Sequence, residues 1–228
     1  MSRQLTLVIP IFNDLESLEA LLLRIEEIDE SNFDFLIVDN GSSDENIFDR
    51  IKKGGPNWSG IRTHQNLGFG GGILFGINTS TSPWVGWMPG NLKIDPRDLP
   101  SFVAQIRFHP QTFIKASRVG RKPSARLKTL IAGIIQSLLL RKNMLDTGGT
   151  PSICEKEFIS NLGNPPQDYV FESFVYYAAK NGGLVIQRPK IHYGERLFGN
   201  SHWQSGLGAE ISLMRKIVLG SKSWRYTK

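Results

Sequence analysis

Four small polar clusters each follow an apolar run: Pro10-Ile11-Phe12-Asn13-Asp14, Asp39-Asn40-Gly41-Ser42, Asn66-Leu67-Gly68 and Pro89-Gly90-Asn91. Groups at the tip of a strand meet a ligand in a fixed geometry. Paired carboxylates there would be hard oxygen ligands suited to Mg2+ or Mn2+. The last cluster offers no such pair, because Pro89 has no ligand atom in its side chain and Asn91 carries a neutral amide. A bound phosphate can also be neutralised by cations, and the chain has 27 lysines and arginines, Lys93 among them, each of which reads equally as a solvated surface charge. The acids able to move a proton are Asp146, in "LDTGGT", and Asp168 with Glu172, in "QDYVFES". A spacing of four predicts that the last two share one helix face. A plain helix start with an N-terminal acid explains them as well, and Asp146 reads also as a turn cap.

The elements that must hold these clusters alternate. "LTLVIP" and "FDFLIVD" read as strands, the second nearly continuous in the manner of a parallel strand covered on both faces. Between them Leu15, Leu18, Leu21, Leu22, Ile25 and Ile28 keep helical spacing behind a capping-box pattern, Asn13-x-x-Glu16. A helix over Ile47–Ile51 is capped by Ser43 or Asp44, a weaker strand covers Gly60–His64, and "WVGWM" is a further strand. Asp98 caps a helix through Leu99 and Phe102, and Thr112–Ser117 reads as one strand. Later come a clean stripe from Leu127 to Leu138, a glycine turn and strand within Asp146–Phe158, a helix over Val170–Lys180 and a strand "LVIQRP". Strands alternating with helices predict an α/β fold with a mostly parallel, Rossmann-like sheet, whose ligands bind at the carboxyl ends of the strands.

The totals narrow the classes. With 228 residues the chain can bury one sizeable core. Its net charge of +6 favours polyanions such as nucleotides, phosphates or an anionic membrane face. One cysteine, Cys154, excludes an internal disulfide and fits a reducing compartment. The four histidines are scattered, so no zinc set is expected, although His202 could help hold a metal. "GFGGG" follows the third strand and lacks the third small residue of a dinucleotide fingerprint. No nucleic-acid-binding motif is present. No secretory signal or membrane-crossing run is expected.

"VIPIFND" followed by "LIVDNGSSD" resembles the family 2 glycosyltransferases, whose pattern is V-x-P-x-x-N-E and then V-D-D-G-S-x-D. "NLGFGGGILFGI" is similar to that family's N-x-G-x-x-x-A-x-x-x-G segment. "DTGGT" and "GERLFGNSHW" resemble the D-x-x-S-G and R-x-x-G-x-S pieces of the dolichyl-phosphate mannose synthase-like branch, the polyprenyl-phosphate sugar transferases. The likeness spans about residues 4–205. The departures are that the family's D-x-D falls on Pro89-Gly90-Asn91, its second D of D-D-G-S is Asn40, and its S-G pair is Gly148-Gly149.

The resemblance implies a nucleotide-diphospho-sugar transferase (GT-A) fold and an enzyme, inverting, that moves a sugar from a UDP- or GDP-linked donor to a polyprenyl phosphate or a growing cell-surface glycan. It puts Pro10, Phe12, Asp14, Asp39, Asn66 and Gly68 at the nucleotide. Asp39 would accept from base N–H groups, or serve only as a turn and helix cap. It puts Pro89, Gly90, Asn91, Arg118, Asp146 and Ser201 at the donor phosphates, with Arg126 and Arg196 as catalytic cations. Asp168 would be the base if the acceptor is a hydroxyl. A weakly held Mg or Mn near Asn91 is one option and neutralisation by arginine the other. The alternative activity is a non-catalytic nucleotide-sugar-binding protein that kept the fold.

The expected organisation is a transferase domain over residues 1–205 and a basic amphipathic segment over 206–228, the former made of a nucleotide-binding half (1–115) and an acceptor half (116–205). The Leu127–Leu138 stripe and the later residues Leu207, Ile211, Met214 and Val218, with Trp203 and Trp224, suit either packing on the core or a bilayer surface. This predicts a cytoplasmic protein, peripheral on the inner face of the plasma membrane.

Overall fold

A computed structural model describes residues 4–29, 32–198, 212, 215–220 and 224. The chain opens with β1 (Leu5–Ile11), α1 (Leu15–Glu26), β2 (Phe33–Asp39), α2 (Glu45–Ile51), β3 (Trp58–Arg62), α3 (Gly68–Thr79) and β4 (Trp84–Trp87). After a 3-10 turn come α4 (Leu99–Ala104), β5 (Thr112–Lys115), β6 (Ser117–Val119), α5 (Pro123–Leu140) and β7 (Ser152–Glu155). The last named elements are α6 (Lys156–Ser160), α7 (Val170–Asn181), β8 (Val185–Gln187) and β9 (Lys190–His192).

Seven strands form one sheet in the order β3-β2-β1-β4-β7-β5-β8, and β6 pairs with β9 beside it. The sheet is mostly parallel, as expected, with β7 antiparallel to β4 and β5. The strand order reverses at β1: β2 and β3 lie on one side and β4 on the other. That reversal opens a crevice at the carboxyl ends of β1 and β4. Pro10 sharpens it. Having no N–H, it cannot extend the ladder to β4, which ends with Val8 opposite Trp87.

Two buried clusters cover the sheet. One packs Leu18, Leu21 and Ile25 of α1 against Leu7, Ile9 and Phe35; the other packs Ile73 and Ile77 of α3 and Phe171 and Val175 of α7 against Val8, Val38 and Trp87. The glycine-rich segment is a full helix, which its composition hides. Glycine is a poor helix former, yet here the packing requires it. A Cβ on Gly76 would stand 2.5 Å from Val8 Cγ1, so α3 lies directly on the sheet. Gly68 takes φ +78 and would put a Cβ 2.5 Å from the Gln167 carbonyl oxygen, so it starts α3 hard against the entry to α7.

Several local readings need correction. Asp14, not Asn13, caps α1 by accepting from Ser17 N–H. Asn13 instead takes φ 48, accepts from Ser43 N–H, and its own N–H donates to Ser42, which ties the β1 tip to the β2 tip. Asp44 is the α2 cap. Asp98 makes no side-chain cap; Asp95 caps the 3-10 turn before it. The Thr112–Ser117 strand breaks at Ala116, whose N–H goes to Pro151 while Ser117 turns to Pro189. Asp168 and Glu172 share no helix face, because α7 starts at Val170. Trp224 is buried against Phe174 and Tyr177 rather than facing an interface. Trp203, Leu207, Ile211 and Met214 lie outside the described residues.

The largest surprise is α5. Its buried residues are Gly133, Gln136 and Leu140, while Leu127, Leu130, Ile131, Ile134, Ile135 and Leu138 are 40–75% exposed. The apolar stripe points outward. No helix among the described residues is long and apolar enough to cross a membrane.

Candidate active site

The crevice is a cavity of about 670 Å3, a size suited to a small-molecule ligand. The end of β1 contributes Pro10, Phe12 and Asp14 to its wall, and the turn after β2 contributes Asn40. Asn66 and Gly68 enter from the start of α3, and Pro89, Gly90 and Asn91 follow β4. The topology therefore gathers residues from all four clusters at one opening. Asn40 knits them: its amide donates to Gly68 O at 2.9 Å and to Asn66 at 3.3 Å, while its Oδ1 accepts from Leu67 N–H. An aspartate at position 40 could not donate to the Gly68 carbonyl, so the asparagine fits this wall.

Three cations also line the cavity: Lys93, Arg118 and Arg196. Arg196 pairs with Asp14 and donates to Phe198 O at 2.6 Å. Arg118 lies over the Tyr193 ring at 5.2 Å and pairs with Asp146. Burial holds the Lys93 ammonium below the usual lysine pKa, and the nearby Arg196, Arg118 and Arg121 push it the same way. Arg196 and Arg118 each have a carboxylate partner, and the lowered pKa of Lys93 has burial and neighbouring cations as its causes, so the cluster around Lys93 favours an incoming anion.

The structure does not bring every candidate here. Asp39 is fully buried and outside the cavity wall. Its Oδ1 accepts from Ser42 N–H at 2.9 Å, and its Oδ2 lies 3.2 Å from Arg62 Nε without hydrogen-bond geometry. Asp168 accepts from Val170 N–H in the turn before α7 and pairs with Lys216. Arg126 is exposed on α5. Neither Asp168 nor Arg126 reaches the wall. Asp146 sits behind it, joined to Arg118, Arg121 and Arg188, while its neighbours Thr147 and Gly148 face the cavity. Ser201 and His202 lie outside the described residues.

Sequence reasoning passed over Lys115, Gln136, Ser173 and Tyr193. Lys115 left a signal: a lone lysine inside the strand run "TFIKAS" requires a buried partner. Gln136 and Ser173 left none, because their meeting depends on which faces α5 and α7 turn toward each other.

The D-x-D position shows no clear site for a divalent metal, since it carries no carboxylate. The Asn91 Oδ1 already accepts from Lys93 N–H at 3.3 Å, and Asp14 is held by Arg196. Among the described residues no group of three His, Cys, Asp or Glu side chains is placed to hold one.

The sequence model described as "Glycosyl transferase family 2" matches residues 6–161. The chain belongs to glycosyltransferase family 2. Two curated relatives share 28% identity with this family member. One is the dodecaprenyl-phosphate galacturonate synthase of Rhizobium johnstonii, over 57% of the chain and 40% of that protein. The other is the undecaprenyl-phosphate 4-deoxy-4-formamido-L-arabinose transferase of an Enterobacter species, over 88% of the chain and 62% of that protein. The chain thus spans less than two thirds of either relative. Among solved structures, the glucosyl-3-phosphoglycerate synthase of Mycobacterium tuberculosis, in complex with Mn2+, UDP and glucosyl-3-phosphoglycerate, matches 98% of the chain and 80% of its own at a TM-score of 0.73 and 16% identity. That likeness shows a shared GT-A fold, in agreement with the sequence expectation.

Proposed function

We propose that this family 2 member transfers a sugar from a nucleotide-diphosphate sugar to a polyprenyl phosphate at a membrane surface, with side-chain cations taking the diphosphate charge. The observation that carries the reading is the meeting, in one cavity, of the strand-tip residues with Lys93, Arg118 and Arg196. The apolar faces of Pro10 and Phe12 and the amide of Asn66 receive the base and ribose, on the wall that Asn40 holds together. Asp39 acts from behind, holding the turn that carries Asn40 through Ser42 and Arg62. The diphosphate lies against Lys93 and Arg196, beside Pro89, Gly90 and Asn91.

In the reaction an oxygen of the acceptor phosphate attacks the anomeric carbon from the face opposite the diphosphate, so the centre inverts. The bond from that carbon to the diphosphate oxygen breaks, and its electron pair leaves with the nucleoside diphosphate. The cations stabilise the growing charge in a partly desolvated site. An acceptor phosphate is anionic near neutral pH, so no carboxylate base is required, and Asp168, held by Val170 N–H and Lys216, is not called upon. The relatives' polyprenyl phosphates support this acceptor.

The α5 helix supports the membrane part of the reading. Its inner face gives Thr129, Ala132, Gly133 and Gln136 to the cavity wall while its outer face is apolar. Exposed Arg126, Arg141 and Lys142 flank that face, and the chain carries no acid between Asp98 and Asp146. An apolar face with basic flanks binds an anionic bilayer, here the inner leaflet. It would bring the cavity to the height of a lipid phosphate. The test is release of UDP or GDP from a panel of donors with undecaprenyl phosphate in vesicles. Release that depends on the lipid supports the reading; no release and no thermal shift with any nucleotide sinks it.

A further inference from the structure

The β4-β7-β5 side of the cavity holds a polar cluster with no part in the chemistry above. Glu172, in the first turn of α7, reaches the cavity wall with 11% of its side chain exposed. Its Oε1 accepts from the Trp87 indole N–H at 2.6 Å. Its Oε2 accepts from Lys115 Nζ at 2.8 Å and lies 3.4 Å from Ser152 Oγ. Lys115 is wholly buried, donates to Ser152 at 3.1 Å and lies over the Tyr176 ring at 5.2 Å. Burial pushes the Lys115 pKa down, and the Glu172 carboxylate works against that. Beside the pair, Thr147 and Ser173 each place a hydroxyl 3.2 Å from Gln136 Oε1, and all three side chains border the cavity.

The arrangement is one-sided. The cation is sealed beneath, so the ligand space meets only the anion. Trp87, Lys115 and Ser152 fix the carboxylate on its protein side and leave Oε1 with a lone pair to offer, since each carboxylate oxygen has about two. A rigid acceptor of this kind suits a ligand hydroxyl or amino group. A ligand carboxylate set against Oε1 would meet like charge, offset in part by the Lys115 ammonium behind it, and could not supply the donor that a hydroxyl supplies. With the nucleotide at the β1-β2-β3 side and the diphosphate at Lys93 and Arg196, the group that reaches this side is the transferred sugar.

We propose that Glu172 is the specificity-determining residue at the sugar end of the cavity. It selects a ring that presents a hydroxyl or amino donor and rejects a ring that carries a carboxylate. Lys115 is its positioning residue. The proposal rests on the nucleotide-sugar reading and names its substrate class: neutral or amino sugars, not uronic acids.

The test is calorimetric binding of UDP, UDP-glucose, UDP-glucuronate, GDP, GDP-mannose and GDP-mannuronate to the whole chain. The comparison is among the wild type, Glu172→Gln and the double variant Lys115→Met/Glu172→Gln. The double variant leaves no unpaired buried ion if the single one fails to fold. For the base that binds, the wild type should prefer the neutral sugar over the uronate by about tenfold or more, the worth of one hydrogen bond to a charged group. Both variants should narrow that ratio to within about threefold without changing affinity for the free nucleoside diphosphate. A wild-type ratio near one overturns the proposal, and so does a ratio that stays wide in a folded variant. If neither UDP nor GDP binds the wild type, the nucleotide-sugar reading fails first and takes this inference with it.

Discussion

Helices α1 and α5 carry the same kind of apolar stripe and put it to opposite use. In α1 the residues Leu18, Leu21, Leu22 and Ile25 have no exposure at all. In α5 the stripe faces out, and the face toward the cavity is small and polar. Periodicity reveals which side chains share a face. It does not reveal which face the fold turns inward. For α1 the apolar β1 and β2 beneath it settle the matter. For α5 the neighbour is a polar cavity, and turning the leucines toward it would take Gln136 away from the Thr147 and Ser173 hydroxyls.

The contrast breaks most visibly on truncation. Leu21→Ala should lower stability by about 2–5 kcal/mol, the cost of a cavity in a packed core. Leu138→Ala, on the outer face of α5, should change stability by less than about 0.5 kcal/mol. Thermal or denaturant melting compares them, and equal losses would show that the α5 stripe is packed rather than presented.

The same division separates the arginines. Arg196→Gln should weaken binding of UDP or GDP by about 10–100-fold, as expected for a lost hydrogen bond to a charged group, while Arg126→Gln should leave it within about twofold. Fluorescence or calorimetric titration reads both. Arg126→Gln should instead reduce co-sedimentation with vesicles rich in phosphatidylglycerol, and combining it with Ile134→Ser should reduce it further. A loss confined to Arg126→Gln, with Ile134→Ser neutral, would reduce the surface to simple charge attraction.

A smaller effect concerns pH. The Lys93 ammonium gives up its proton at a lower pH than an ordinary lysine, chiefly through burial. Its positive charge is therefore present below that lowered value and lost as pH rises through it, so nucleoside diphosphate affinity should fall on the alkaline side before the normal lysine range. In Lys93→Arg that limb should disappear, because a guanidinium stays protonated. An unchanged profile would remove Lys93 from the phosphate contacts.

Much of this was legible in the residues. The apolar runs of β1, β2 and β4 and the polar tips behind them gave the parallel sheet and three walls of the cavity, because local pattern and tertiary environment agree there. Other features were hidden for identifiable reasons. Helix α3 is written in glycines that only make sense against Val8 and Gln167. Asp39 ends its strand where a ligand contact is expected, yet Arg62 and Ser42 claim it. The Lys115–Glu172 pair joins residues 57 apart in sequence, and no short-range pattern announces such a contact.

The central claim is that side-chain cations, not a metal held at Pro89-Gly90-Asn91, receive the donor diphosphate. The most direct measurement is calorimetric titration of UDP and GDP into EDTA-treated protein, wild type and Arg196→Gln, followed by addition of Mn2+. The account predicts binding by the wild type in EDTA, little gain from Mn2+, and at least about a tenfold loss in the variant. Binding that appears only with Mn2+ and is indifferent to Arg196 would contradict it.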